Sequence, residues 1–220
     1  MARRTAVADI DALTVALPAS LAALARRGQV QAYRKGTVLI EEGDRGDTIY
    51  VILAGRLRAF ATNPEHDREI TFGTYGPGEY VGELGLDGGP RTASVVAEES
   101  SICARVARPT LEAFIAENPD FAFELLAKVM RLARMATLTA RQLALNDVYG
   151  RIKLLLESLA PADAGAGWVE VPALRQSEIA ARIGCTPSMV SRVMKDLATG
   201  GHIATDRAGL RLRLPLPARW

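Results

Sequence analysis

The sequence predicts an α+β protein in three parts, and three observations carry that reading. Short β-rich runs punctuated by glycines fill residues 29–106, a stretch free of Gly and Pro runs from Asp120 to Tyr149, and paired short helices with a β-hairpin close the chain. The expected boundaries are 1–117 for a short N-terminal helix and an antiparallel, jelly-roll-like β-roll, 118–146 for a long helix, and 147–220 for a compact C-terminal unit.

The N-terminal helix comes first. Leu13, Leu17, Leu21 and Leu24 recur at helical spacing, and Asp9 and Asp11 interrupt what would otherwise read, after Arg3-Arg4, as an export signal. No apolar run reaches the roughly 20 residues needed to span a bilayer. The strands follow: Val38-Leu39-Ile40, Ile49-Tyr50-Val51-Ile52-Leu53, Leu57-Arg58-Ala59-Phe60-Ala61 and Ser94-Val95-Val96-Ala97. Gly36, Gly43, Gly46, Gly55, Gly78 and Gly82 lie between them, and runs of this length and spacing suggest a sandwich or barrel-like roll.

Helical texture begins at Pro109. Asn118-Pro119-Asp120 is a good helix start, and an apolar seam follows at Leu125, Val129, Leu132, Ala136, Thr139, Leu143 and Asn146. This heptad spacing suits a two-helix coiled coil between identical subunits, with a helix packed wholly on its own domain as the alternative. A homodimer through residues 118–146 is the expectation. Asp147-Val148-Tyr149-Gly150-Arg151 then breaks or bends the run, and a second helix continues to Leu159.

Bulk numbers narrow the function. With 49% hydrophobic and 24% charged residues the chain is globular rather than disordered. Its net charge of +2 hides an asymmetry: residues 148–220 hold 10 Lys/Arg against 6 Asp/Glu, leaving the remainder at −2. The basic third is where phosphate contact would fall. The two cysteines, Cys103 and Cys185, form no Cys-x-x-Cys spacing, so a zinc site and a disulfide scaffold are both unsupported, and a reducing cytoplasm fits. Two scattered histidines and no nucleophile–base pair offer no machinery for an enzyme, and no covalent cofactor is implied.

The segment 176–195 is the most specific feature. Ala180 is small where two helices would cross, Gly184 sits where the turn needs φ > 0, and Ile179, Ile183, Val190, Val193 and Leu197 supply the apolar positions. Thr186 suits a helix cap and Pro187 a first helical position. This is a helix-turn-helix, whose second helix and its capping residue would present Thr186, Ser188, Ser191, Arg192 and Lys195 to DNA in the major groove, with Arg192 as the base reader. Arg175, Gln176 and Ser177 are placed for backbone contact. The alternative is a helical hairpin with a solvated polar face. Downstream, residues 202–214 alternate apolar and polar around Asp206-Arg207-Ala208-Gly209, as in the wing of a winged helix, with Arg211 and Arg213 on the polar side.

A second chemical pattern spans residues 78–94. The glycines around Gly82 let backbone N–H groups approach an anion, Arg91 offers a fork for phosphate, and Glu83 suits a sugar hydroxyl. A sugar cyclised with its own phosphate satisfies both.

Gly-Glu-Leu-Gly-Leu followed by Pro-Arg-Thr-Ala resembles the phosphate-binding cassette of cyclic-nucleotide-binding domains. Together with the helix-turn-helix and the Asp-Val-x-Gly-Arg hinge, the chain resembles the Crp/Fnr family of bacterial regulators from about Leu21 to Leu214. The resemblance implies a cyclic nucleotide effector, cAMP or cGMP, held by Gly82 and Glu83 at the ribose 2′-hydroxyl and by Arg91 and Thr92 at the phosphate, with Leu84 also in the effector site. It also implies a palindromic double-stranded DNA operator, and RNA polymerase as partner. The same architecture working without cyclic nucleotide, or sensing another signal, is the alternative.

Three departures stand out. Glu83 and Arg91 are eight residues apart, a cassette shorter than that of the family's catabolite activator. Where that activator carries a Thr-Ser pair for adenine, this chain has Ala136-Thr137, leaving Thr137 to reach a base from the partner subunit. The family's frequent Arg-Glu-x-x-x-Arg is here Pro187-Ser188-x-x-x-Arg192, without the Glu that accepts from cytosine N4. An iron–sulfur sensor would need N-terminal cysteines, and none precedes Cys103. His66 and His202 read as surface residues rather than haem ligands, and Cys103 as inert core.

Overall fold

The computed structural model describes residues 10–63, 65, 68–205 and 209–218. His66 and residues 206–208 of the wing turn lie outside this set. The chain falls into two compact units: Met1–Ala61 with Phe72–Arg134, and Thr62–Thr71 with Met135–Trp220.

In the first unit, helices α1 (Ile10–Thr14) and α2 (Ala19–Arg26) precede eight strands. These are β1 (Gln29–Tyr33), β2 (Val38–Ile40), β3 (Thr48–Ala54), β4 (Leu57–Asn63), β5 (Arg68–Tyr75), β6 (Tyr80–Val81), β7 (Ser94–Ala97) and β8 (Ser101–Ala107). They pair into two four-stranded sheets, β1-β8-β3-β6 and β2-β7-β4-β5, antiparallel in every pairing whose register is resolved. This is the predicted roll.

Strand β3 shows why its sequence is an unbroken apolar run. Ile49, Val51 and Leu53 pack with α2, α3 (Arg108–Glu117) and the first turn of α4 (Asp120–Leu145), while Tyr50 and Ile52 pack between the sheets with Ile40, Leu57, Val95 and Cys103. Both faces are buried, so the alternation of a half-exposed strand is absent. Phe121 starts α4 against Phe114 with an edge-to-face ring contact at 5.3 Å, anchoring the long helix on the roll.

Helix α4 turns the first part of the expected seam toward the roll. Leu125 packs on the roll's core, and Val129 and Leu132 are half-buried on the same side. In the first half of the helix the outward apolar positions are Phe123, Leu126 and Met130, at 71%, 49% and 56% exposure, and further along Met135, Leu138, Leu143 and Leu145 are exposed as well. The two apolar stripes are offset by one residue, about 100° around the helix, and the sequence alone did not say which one the roll would take.

The second unit contains α5 (Val148–Ser158), β9 (Gly167–Val171), α6 (Gln176–Ile183), α7 (Pro187–Thr199), β10 (Ile203–Thr205) and β11 (Leu210–Leu214). The strands form an antiparallel sheet, β10-β11-β9, in which β9 is a third strand that the sequence pattern did not reveal. Tyr149, Ile152, Leu156, Ile179, Val190, Leu197, Leu212 and Leu216 make one core joining helices and sheet. The Asp147 carboxylate caps α5 by accepting from the Gly150 N–H at 2.7 Å, and Arg151 donates to the carbonyls of Ile183 and Asn146, both at 3.0 Å. The Asp-Val-x-Gly-Arg run is thus a helix cap plus a tie to the end of α6.

Candidate functional site

The cassette is built around Arg91. Its backbone is fixed on the turn before β3, donating to the Asp44 carbonyl at 2.8 Å and accepting from the Gly43 N–H at 2.9 Å. Its side chain is buried and donates to the carbonyls of Gly82 at 2.6 Å and Thr48 at 2.8 Å. Burial lowers its pKa, opposed by Tyr50, Asp47 and Glu83. The fork expected to hold phosphate is therefore engaged inward, with backbone.

Gly82 makes this possible. Its φ is +97°, and a Cβ there would stand 2.7 Å from the Thr48 carbonyl oxygen and 3.2 Å from the guanidinium. It leads into a 3-10 turn, Glu83–Gly85, which buries Glu83 and leaves Leu84 exposed. Thr92, beside Arg91, is exposed.

Glu83 carries the chemical signal. It is 9% exposed, and its Oε2 has no hydrogen-bond partner among the described residues, whereas Oε1 lies 3.5 Å from Lys128 Nζ on α4. A buried carboxylate oxygen without a donor is costly, so this atom fits a ligand hydroxyl.

Lys128 is the residue that sequence reasoning missed. Its ammonium donates to the Tyr80 carbonyl and sits 3.8 Å from the centre of the Tyr80 ring and 5.3 Å from that of Tyr75. Desolvation lowers its pKa, offset in part by Glu83. The clue in the sequence was its register: Leu125, Lys128, Val129 and Leu132 share one helix face, so a lysine interrupts an inward stripe. Thr137 is exposed further along α4, in the second unit.

The helix-turn-helix takes the expected form locally. Gly184 ends α6 at φ +66°, Thr186 caps α7 by accepting from the Met189 N–H, and Pro187 opens that helix. Ile179, Val190 and Leu197 are fully buried between the helices. Arg175 caps α6, its N–H donating to the Glu178 carboxylate at 2.7 Å, with Gln176 and Ser177 exposed in the first turn. On α7, Ser188, Ser191, Arg192 and Lys195 lie on the face away from the core. The Thr186 hydroxyl is occupied by the cap and by Ser188 Oγ at 2.9 Å, which makes it part of the framework. In β11, Leu210 and Leu212 point inward and Arg211 and Arg213 outward, Arg211 lying 5.8 Å from the Trp168 ring on β9.

Residues 30–118 match the cyclic nucleotide-binding domain family, and residues 151–218 match the Crp-like helix-turn-helix domain. The chain is 32% identical over 191 residues to the cyclic AMP receptor protein of Thermus thermophilus, covering 84% of each sequence. It is 30% identical over 193 residues to the CRP-like cAMP-activated global transcriptional regulator of Mycobacterium tuberculosis, covering 86% of each. Among solved structures, the c-di-GMP-responsive regulator CLP of Xanthomonas campestris superposes with a TM-score of 0.73 over 90% of this chain and 99% of that one, a likeness of fold at 23% identity. A cyclic-nucleotide-type cassette ahead of a Crp-like DNA-reading unit, with relatives of this identity and coverage, places the chain in the Crp/Fnr family of DNA-binding transcription regulators.

Proposed function

We propose that this protein is a cytoplasmic homodimer that binds a palindromic operator under the control of a cyclic nucleotide, cAMP or cGMP, held in the cassette. The observation that carries the reading is the orphaned Oε2 of Glu83, buried at the mouth of a glycine turn beside a buried arginine. A ribose 2′-hydroxyl supplies the missing donor, and a hydrogen bond to a charged acceptor contributes about 1.5–3 kcal/mol. Arg91 meets the cyclic phosphate by exchanging a backbone carbonyl for a phosphate oxygen, the stronger acceptor because it is charged. Thr92 adds a hydroxyl there, and Gly82 and Leu84 shape the approach.

Subunits pair through residues 118–146. The outward stripe Phe123, Leu126, Met130, Ala133 and Thr137 steps by 3, 4, 3 and 4, the spacing of a coiled-coil seam. On such a seam Thr137 lies at the interface, where it reaches the base of a nucleotide bound by the partner. Ligand shifts the population of helix arrangements, and the hinge at 147–150 sets the two α7 helices to successive major-groove turns about 34–36 Å apart. Arg192 reads guanine, Ser188 and Ser191 contact bases or phosphates, and Lys195, Arg175, Gln176 and Ser177 hold the backbone. RNA polymerase is the partner at the promoter.

The test selects binding sites from a randomised duplex pool with no nucleotide, with cAMP and with cGMP, and measures binding of each nucleotide by calorimetry. Palindromic sites enriched only with one nucleotide, and lost in Arg91→Ala, support the reading. Equal enrichment without nucleotide, and no calorimetric binding, would leave a regulator with a vestigial cassette.

A further inference from the structure

The structure assigns to Lys128 a role beyond packing: we infer that it is the positioning residue through which the long helix senses whether the cassette is occupied. This rests on the reading of residues 82–92 as an effector site. Glu83 touches Lys128 and is also aimed at the effector, because its two oxygens point to different tasks. Oε1 faces the Lys128 ammonium and Oε2 is left for the ligand.

The environment explains why the pair responds. Lys128 and Glu83 side chains are 11% and 6% exposed, so water screens neither. Yet the ammonium and Oε1 are 3.5 Å apart, longer than the roughly 2.7–2.9 Å of a charge-assisted hydrogen bond. The terminal torsion of a glutamate is broad, so a donor arriving at Oε2 turns the carboxylate at little cost. With Oε2 satisfied by the ligand, the reoriented carboxylate brings Oε1 closer to Lys128. The occupied cassette therefore holds α4 and the empty one holds it less. The Tyr75 and Tyr80 rings and the Tyr80 carbonyl keep the ammonium within reach when the pair is loose.

Lys128 lies in the first unit, and α4 runs on without interruption to Leu145 in the second. Position at Lys128 is thus transmitted along a continuous helix. A coupling of this kind is reciprocal, so DNA should tighten nucleotide binding by the factor with which nucleotide tightens DNA binding.

The experiment measures operator affinity without nucleotide and at saturating cAMP or cGMP, with saturation set by calorimetry, for wild type, Lys128→Met and Lys128→Arg. Methionine keeps the apolar stem and removes the charge, while arginine restores it. The wild-type ratio is expected within the range of about 5- to 150-fold usual for such couplings. Lys128→Met should bind nucleotide but bring the ratio close to one, and Lys128→Arg should recover most of it. An unchanged ratio in Lys128→Met, even with a lowered melting temperature, leaves Lys128 a purely structural residue and overturns the inference. Loss of nucleotide binding in that variant also overturns it, because Lys128 would then belong to the binding site. A wild type that binds neither nucleotide defeats the reading of the cassette itself, and the role of Lys128 with it.

Discussion

The Arg91 guanidinium donates to the Gly82 carbonyl at 2.6 Å, so the residue that ends the cassette is bonded to the one that begins it. A second bond at 2.8 Å to the Thr48 carbonyl ties the same side chain to β3. The cassette is therefore clasped from within. Arg91→Ala removes both donors and leaves two acceptors beneath the turn, each costing about 1–3 kcal/mol when unsatisfied. Arg91→Lys keeps the charge but has no fork to span both carbonyls. Urea unfolding should show a loss of about 2–5 kcal/mol for Ala, with Lys intermediate, and calorimetry should show nucleotide binding abolished in Ala and weakened in Lys. Full nucleotide affinity in Arg91→Lys would show that charge alone, without the fork, is what the cassette requires.

Two glycines with left-handed backbone should respond very differently to alanine. At Gly82 the new Cβ stands 2.7 Å from a carbonyl oxygen of β3, a position backbone cannot easily vacate. At Gly184 the nearest atoms are 3.7 Å away, an ordinary van der Waals distance. Gly184→Ala thus carries the left-handed strain alone, about 1–2 kcal/mol. Gly82→Ala adds crowding of about 1–3 kcal/mol and pushes on Arg91. Denaturant titration should rank them so, and only Gly82→Ala should abolish nucleotide binding.

Much of this was legible in residue type because local rules and global fold agree. Gly184, Thr186 and Pro187 each have one best position at a helix turn, and the structure uses each there. The alternation of β11 survives folding, with Leu210 and Leu212 inward and the arginines outward. Two features were ambiguous for a physical reason. Helix α4 carries apolar residues on two stripes about 100° apart, and the packing of Phe121 on Phe114 fixes which stripe meets the roll. The Lys128–Glu83 pair joins residues 45 positions apart, and a pairing of that range leaves no trace in local periodicity beyond one lysine on an inward face. Strand β9 was hidden because Gly167–Val171 is short and follows a loop rich in small residues.

Alkaline conditions should destabilise the roll through Cys103. Burial raises its thiol pKa from 9.0 to about 12, and the same effect raises the Tyr80 phenol from 10.0 to about 12. In the unfolded chain these groups release their protons at the ordinary values, so between pH 9 and about 12 the native state binds more protons than the unfolded one. Stability must then fall as pH rises through that window, by at most about 1.4 kcal/mol per pH unit for each group. Urea midpoints followed from about pH 8 to about 10.5 should decline, and Cys103→Ala should make the decline shallower. A midpoint independent of pH across this range would show that the Cys103 thiol is reached by water.

The two cations of α7 should separate by what they read. Arg192 and Lys195 both lie on the outer face of the recognition helix, but a guanidinium presents two parallel donors that match guanine O6 and N7, whereas an ammonium is a point charge suited to phosphate. Arg192→Ala should therefore cost about 1–3 kcal/mol on the selected operator and relax selectivity at one base position in each half-site. Lys195→Ala should weaken specific and non-specific duplexes alike, and reduce the slope of log affinity against log salt by about one for each phosphate it no longer neutralises. Competition assays on single-base operator variants across a salt series distinguish the two outcomes. If Arg192→Ala lowered affinity equally for every variant, that arginine would hold the DNA backbone, and sequence would have to be read by Ser188 and Ser191 on the same face.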